Sequence, residues 1–493
     1  MAFLTLFINL LLVPFIGFEF QPTYDSGEFS IGIAAPAGTS IEKMKELVAP
    51  VEKEILAIPE LDRAFLLLGA GRQPPYKASM GIKLVPSSER KRTMTQITDE
   101  LRTKLRKFTA LKLSVQIAQM SGRGDVRPLQ IALRGPDLHN LTQYAQTLAE
   151  GMKQIPGTAD VDYSGEQYEP EIIIKFDPVR AGEVGLEPTS AGTVVQMAFL
   201  GLATKNQYTA GDKDYVIRVQ MPEQSRRDIN DVANMRISTK TGLFVRLGDV
   251  ADVQLSSGPT QIDREDRQRQ IIVYSNAVGV SVGELVQKVE ALVPGLNMPL
   301  GYSHKFVGQA KLMAESFGVI AQALLMAVIL IYMVLAAQFE SYIHPLTIML
   351  SLPFAMVGAL LGLLIGGHTI NIMSLIGVIL LMGLVTKTSI LLVDYTIQLR
   401  EDGVPIVEAL VKSGSVRLRP IMMTTLSTIL GMLPLALGLG AGAELRASMA
   451  VAVIGGLITS SLLTLVVVPL AYYMIDRFQI GLKHKKMSHI HPE

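Results

Sequence analysis

The chain contains no cysteine and no tryptophan, and aromatic residues make up only 6% of its 493 positions. Without cysteine there are no disulfides and no thiolate metal sites. Without tryptophan, any aromatic belt at a membrane surface falls to tyrosine. Charge is also scarce: 18% of residues are Asp, Glu, Lys or Arg, with 45 basic against 44 acidic and a net charge of +1. Such a balance carries no electrostatic footprint of a nucleic-acid partner. A phosphate-binding loop is missing too. Gly69-Ala-Gly-Arg72 is too short and lacks the Lys-Ser/Thr ending of a P-loop.

What is abundant is apolar. Hydrophobic residues reach 49% and the mean hydropathy is +0.35, too apolar for an ordinary soluble protein and too charged for membrane helices alone. The apolar spans sort the chain. The first, Phe3 to Phe18, contains Pro14. It has neither the basic start nor the small-residue cleavage site of a signal peptide, so residues 1–19 are expected to form a short membrane helix. Five further spans follow at about 316–337, 345–366, 370–397, 420–441 and 447–475, each near the roughly 20 residues that cross the hydrocarbon. Basic residues set the topology. Arg400, Lys412, Arg417 and Arg419 fall in the 398–419 loop, and Arg477, Lys483, Lys485 and Lys486 in the 477–493 tail, whereas Gly366 to Thr369 has no Lys or Arg. The positive-inside rule places that loop and both termini in the cytoplasm and residues 20–307 outside.

The outer region alternates strand and helix patterns. Phe29 to Ala35 alternates with period two, and Ser40 to Leu56 carries apolar positions 44, 47, 48, 51 and 55 on one face. With strands at 63–68, 78–85 and 113–118 and a charged helix at 93–108, residues 20–126 follow the β-α-β-β-α-β order of a ferredoxin-like unit. A second such unit is expected over 127–167 and 263–307, interrupted by an inserted subdomain at 168–262.

Lys387 is a lone charge in the apolar stretch from Ile370 to Val393. Such a charge costs roughly 2.5–3.5 kcal/mol at a membrane helix centre and usually faces a bundle interior with a partner. The bland alternative is a lysine that snorkels to the interface. Asp394 lies seven residues on along nearly the same face. It is about 10 Å away at 1.5 Å per residue, too far for direct pairing, and reads as a cytoplasmic-end carboxylate. Gly358, Gly362 and Gly366 form a small-xxx-small row suited to close helix packing. His139 and His304 are isolated, and His484, His489 and His491 lie in the basic tail.

Several stretches resemble the resistance–nodulation–division (RND) superfamily of proton-driven pumps, in particular its hydrophobic and amphiphilic efflux branch. They are Ala336-Ala-Gln-Phe-Glu-Ser-Tyr-Ile-His-Pro345, Leu352-Pro-Phe-Ala-Met-Val-Gly358, Gly383-Leu-Val-Thr-Lys-Thr-Ser-Ile-Leu-Leu-Val-Asp394 and Arg417-Leu-Arg-Pro-Ile-Met-Met-Thr424, with Phe176-Asp-Pro-Val-Arg-Ala-Gly182 and Val245-Arg-Leu-Gly-Asp-Val-Ala251 in the outer region. They run in family order along nearly the whole chain and resemble the family's C-terminal half only.

The resemblance implies an α-helical membrane bundle of one plus five helices, the five over 308–476. Outside the membrane it implies a periplasmic α+β region of ferredoxin-like porter subdomains with a docking-type insertion. It implies a proton antiporter of the bacterial inner membrane, not an enzyme. Such a transporter has no cofactor, draws on the proton-motive force and exports amphiphilic small molecules. Lys387, Thr424 and Arg417 would form the proton relay, with Asp394 as a secondary candidate. For Arg417 a purely topological role competes. The partners implied are the N-terminal half carrying an adjacent pair of aspartates, two further copies in a homotrimer, a periplasmic adaptor and an outer-membrane channel. Phe65 and Tyr76 fall where drug pumps of the family carry an aromatic switch loop, though the segment here is rich in Gly and Pro and Phe65 also reads as core. Two other readings are a metal-exporting relative and a half-size accessory protein in protein translocation or sensing. The metal-exporting members tend to carry an acidic residue where Lys387 stands.

Overall fold

The computed structural model describes residues 9, 11–22, 24–70, 73–117, 127–165, 168–225, 228–239, 242–259, 261–439 and 442–488. Most of the expected first helix, residues 1–8 and 10, lies outside the described residues, as do Gly71, Arg72, His489 and His491. Asn9, Leu11 and Leu12 are helical and lead into a single 3-10 turn, Val13–Phe15, at Pro14.

The outer part of the chain builds two antiparallel sheets. In the first, β1 (Glu28–Ala34) lies between β3 (Lys77–Leu84) and β4 (Lys112–Ile117), with β2 (Leu61–Leu68) outside β3. The period of two in β1 buries Phe29, Ile31 and Ile33. Helix α1 (Ile41–Leu56) buries Met44, Val48, Val51 and Ile55 along one seam, as its 3.6-residue period requires. Helix α2 (Met94–Leu105) opens on a capping box, Thr93 with Gln96. The second sheet has the order β13 (Asp263–Glu265), β14 (Gln268–Ala277), β5 (Leu129–Gly135), β15 (Ser303–Val307), and β6 (Thr158–Tyr163) also pairs with β14. Helices α3 (Leu138–Lys153) and α8 (Val282–Glu290) contribute Leu141, Leu148, Leu285 and Val289 to a core shared with Leu129, Ile131 and Val273.

Residues Ala35–Ile41 and Gly165–Ile262 form a separate compact unit. Its core includes Leu186, Ala191, Val232, Ile237, Leu247 and Val250, and the unit is assembled from six pieces. These are the ribbon of β7 (Tyr168–Phe176) and β12 (Ala251–Pro259), the pair β10 (Arg236–Ser238) and β11 (Phe244–Arg246), and helices α4 (Pro178–Glu183), α5 (Pro188–Leu200), α6 (Ile229–Ala233) and α7 (Leu247–Val250). A hairpin of β8 (Leu202–Ala210) and β9 (Lys213–Val219) belongs to this unit. Every residue of β9 is exposed.

Among the described residues, five helices are long and apolar enough to cross a membrane. They are α9 (Gly308–Gln338), the pair α10 (His344–Met349) and α11 (Ser351–Ile365) acting as one span, α12 (Ile372–Glu401), α13 (Ile406–Ala436) and α14 (Glu444–Ser488). The expected glycine row is the tightest packing in the bundle. A methyl on Gly358 would lie 2.5 Å from the carbonyl oxygen of Gly455, and one on Gly362 would lie 2.9 Å from that of Val451, so α11 and α14 meet backbone to backbone.

One expectation is corrected. The 398–419 loop is not a loop over most of its length. Helix α13 begins at Ile406, and only a short turn at 402–405 separates it from α12. The helix survives Pro420, and its charged first turns carry Ala409 and Ser413 on a buried seam that holds them against the bundle.

Candidate functional site

Lys387 sits near the midpoint of α12, and the surroundings of that helix divide by face. One side is buried: Ser374, Gly377, Leu381, Val385, Thr388, Leu392 and Thr396. Small and hydroxylated side chains on this side let α14 approach, so that a methyl on Gly377 would lie 2.8 Å from the Met449 carbonyl. Among the described residues nothing covers the opposite side. Ile376, Leu380, Gly383 and Lys387 are all exposed, at the helical spacing of one stripe. Lys387 makes no ion pair and no hydrogen bond among the described residues.

The N-terminal end of α12 is fixed by Asn371. Its Oδ1 accepts from the Ser374 N–H at 3.0 Å and from Ser448 Oγ of α14 at 3.0 Å, and its Nδ2 donates to the Thr369 carbonyl at 3.1 Å. The C-terminal end is fixed by Arg400, whose guanidinium pairs with Asp476 of α14 at 2.8 Å.

The other sequence candidates fall at distinct places. Asp394 is half-buried and accepts from Gln398 Nε2 at 2.9 Å, a local i,i+4 bond. Arg417 stacks its guanidinium on Tyr395 of α12, 4.7 Å from the ring centroid, which ties α13 to α12. Thr424 is exposed and its hydroxyl bonds back to the Ile421 carbonyl of its own helix at 3.0 Å. Sequence reasoning passed over its neighbours. Thr425 Oγ1 meets Ser461 Oγ of α14 at 3.1 Å, and Ser413 Oγ donates to the Leu392 carbonyl of α12 at 2.9 Å. Their spacing with Ala409 and Ile421 is the signal that would have found them, since these four are the buried residues of α13.

In the first outer sheet the two aromatic candidates differ in burial, and the reading of Phe65 as core is corrected. Tyr76 is 2% exposed and belongs to the core, whereas Phe65, which reads equally well as core, is 61% exposed. The pleat accounts for it: Phe65 pairs with Gly81 across β2–β3, on the face opposite buried Met80 and Ile82, and its ring lies over the glycine, where any Cβ would fall 2.3 Å from it.

With this geometry in place, comparison with known proteins assigns the family. The AcrB/AcrD/AcrF family matches residues 1–476. The chain belongs to that family, within the resistance–nodulation–division superfamily. Two solved structures of a heavy metal efflux pump, crystal forms II and I, resemble this family member with TM-scores of 0.86 and 0.85, each at 25% identity. The likeness covers 97% of this chain and 49% and 50% of those chains, so the chain spans about half the length of the pumps it matches. The apolar helices are those of a multi-pass membrane protein.

Proposed function

We propose that this chain works as part of a proton-driven efflux transporter of the inner membrane, with residues 20–307 periplasmic. Lys387 is proposed as the charge whose partner changes with protonation. The observation that supports this reading is the uncovered stripe on α12. A lysine at mid-span facing hydrocarbon is costly, and such charges face protein or water. The stripe of Gly383 and Lys387, with exposed Thr424 on α13, is therefore a surface for a second set of helices supplying carboxylates. Protonating those carboxylates would weaken the pair and release α12. Thr424 and Arg417, which stacks on Tyr395 of the same helix, would complete the relay, with Asp394 as a secondary candidate.

Amphiphilic compounds are the proposed substrates, since a cation at position 387 matches that branch of the superfamily. Heavy metals are the second reading, favoured by the likeness to the heavy metal efflux pump. Among the described residues no three His, Cys, Asp or Glu side chains gather as a metal site. The exposed β8–β9 hairpin, with Tyr208, Tyr215, Val216 and Ile217 all open, suits insertion into a neighbouring copy, which supports a trimer. An adaptor and an outer-membrane channel would complete the path.

The test is transport in everted vesicles holding this chain together with an N-terminal half of the same family. A proton gradient should drive uptake of a fluorescent amphiphilic dye, and Lys387→Ala should abolish it. Normal uptake by the alanine variant removes Lys387 from the mechanism. Gradient-driven movement of divalent or monovalent heavy metal ions, with none of dye, establishes the second reading instead.

A further inference from the structure

The exit of the first apolar segment, Gly17 to Phe20, runs between two other elements, and it is hydrogen-bonded on both sides. On one side is the turn that leads into α12. Ile370 N–H donates to the Gly17 carbonyl at 2.8 Å, Glu19 N–H donates to the Ile370 carbonyl at 3.0 Å, and Phe18 and Ile370 form a parallel bridge. Thr369 Oγ1 adds a bond to Glu19 Oε2 at 3.3 Å. On the other side is the start of α8. Gly283 N–H, one of the donors that a helix start leaves unpaired, donates to the Phe18 carbonyl at 2.9 Å.

The flank against α8 is fitted without slack. A methyl on Gly17 would lie 2.7 Å from Ser281 Cβ, and one on Gly283 would lie 2.8 Å from Phe18 Cβ and 3.0 Å from the Phe18 oxygen. Phe18 thus serves two bodies of packing. Its ring packs on the membrane cluster and meets Phe317 of α9 edge-on at 5.9 Å, while its carbonyl caps a helix whose Leu285 and Val289 lie in the core of the second outer sheet. Close-packed groups of this kind transmit displacement because no void absorbs it.

We propose that Gly17–Glu19 is the link through which a shift of α12 reaches α8 and the second outer sheet, with Asn371 as the positioning residue that holds the α12 end of it. Asn371 is fully buried, and every bond of its side chain goes to a group that moves with α12, α14 or the Thr369 turn. The link deepens the proposed role of Lys387, which lies on the same helix, and rests on that reading for its function. Its mechanical part stands on its own, alongside the covalent continuation of β15 into α9.

The test is amide hydrogen exchange of the full chain in nanodiscs, read at the first turn of α8 and at Ile370–Ile372. Asn371→Ala should raise exchange at both sites by about tenfold, the scale of one lost buried hydrogen bond. In a Gly283→Val background, which wedges the segment off α8, the same substitution should still act at Ile370–Ile372 and no longer at α8. Gly283→Ala is the milder wedge if valine raises exchange throughout α3. Two results overturn the link: an Asn371 effect at α8 that survives both wedges, or none at α8 in the otherwise unaltered chain. Lys387→Met separates the two ideas. If, with an N-terminal half of the family present in the same nanodiscs, Asn371→Ala reaches α8 while Lys387→Met changes neither site, the link stands and the role proposed for Lys387 falls.

Discussion

Asp25 should be the most sensitive carboxylate of the outer region. Its Oδ1 accepts from Arg90 at 2.6 Å and from the Gly27 N–H at 3.0 Å, and its Oδ2 accepts from Arg90 at 3.1 Å and from the Met94 N–H at 2.8 Å. The side chain of Arg90 is 1% exposed and that of Asp25 14%. Burial alone would raise the carboxyl pKa. The Arg90 hydrogen bonds and charge, with the two backbone N–H donors, outweigh burial and hold it below the ordinary value. Asp25→Ala leaves a guanidinium buried without its counter-charge, with Nε already unbonded among the described residues. Removing one partner of such a pair costs about 3–5 kcal/mol. At about 1.4 kcal/mol per tenfold, exchange of the Met94 amide should rise by roughly two to three and a half orders of magnitude. Asp25→Ala with Arg90→Met removes both charges and should recover most of the loss. The pH dependence has a definite sign. A lowered folded pKa means that the pair stabilises above the unfolded value of about 3.9 and that this contribution is lost as pH falls through the folded value. The alanine variant should show no such loss over the same acid range. Equal exchange in the single and double variants, or a rise below about tenfold, would refute the reasoning.

Two further substitutions test packing. Gly358→Val should lower the melting temperature in detergent markedly, because the new side chain meets the Gly455 carbonyl, which is backbone and cannot yield. Overpacking of this kind costs about 1–3 kcal/mol or more, and Thr459→Ala, which clears only a side chain, should not restore it; restoration would show that the seam is not backbone-limited. Tyr76→Ala should destabilise by about 3–5 kcal/mol, as for other large buried rings, while Phe65→Ala should cost under about 1 kcal/mol. Thermal melts of the two variants check this, and a larger loss at Phe65 than at Tyr76 would contradict the burial seen here.

The sequence was most informative where a period coincides with a single buried face. The alternation at Phe29–Ala35 becomes β1 (Glu28–Ala34), and the apolar seam over 44–55 becomes the buried side of α1. The apolar spans mark all five membrane helices, since hydropathy over about 20 residues is a strong signal. Ends were less legible. Charge at Lys412, Arg417 and Arg419 reads as loop, yet these residues are helical, because helix formation continues past the hydrocarbon wherever the backbone can still bond. Phe65 and Tyr76 could not be separated by composition. Their difference depends on which face of the sheet is covered, and Phe65 pairs with Gly81 on the face opposite buried Met80 and Ile82. For Lys387, depth was readable from the sequence and direction was not, because α12 is apolar almost all the way round and carries no polar face to orient it.

A signal for direction does exist, in residue size. Within a membrane, helix interfaces gather Gly, Ser and Thr, and on α12 the run of Ser374, Gly377, Thr388, Ser389 and Thr396 is the buried side against the bundle. Gly383 is the exception. It lies on the exposed stripe one turn before Lys387, and a methyl built on it meets no described atom within 4 Å. A glycine on such a face has no packing reason among the described residues and costs roughly 0.5–1 kcal/mol relative to alanine in a helix. On the proposed reading it marks where a second set of helices comes close enough to bring carboxylates to Lys387. Gly383→Leu should therefore leave the melting temperature of this chain unchanged or slightly raised. The same substitution should abolish co-purification with an N-terminal half and the dye transport that depends on it. Gly383→Ala, smaller and a better helix former, should retain a large part of both. If the leucine variant assembles and transports normally, no helix approaches Lys387 across this face, and the lysine must find its partner from another direction.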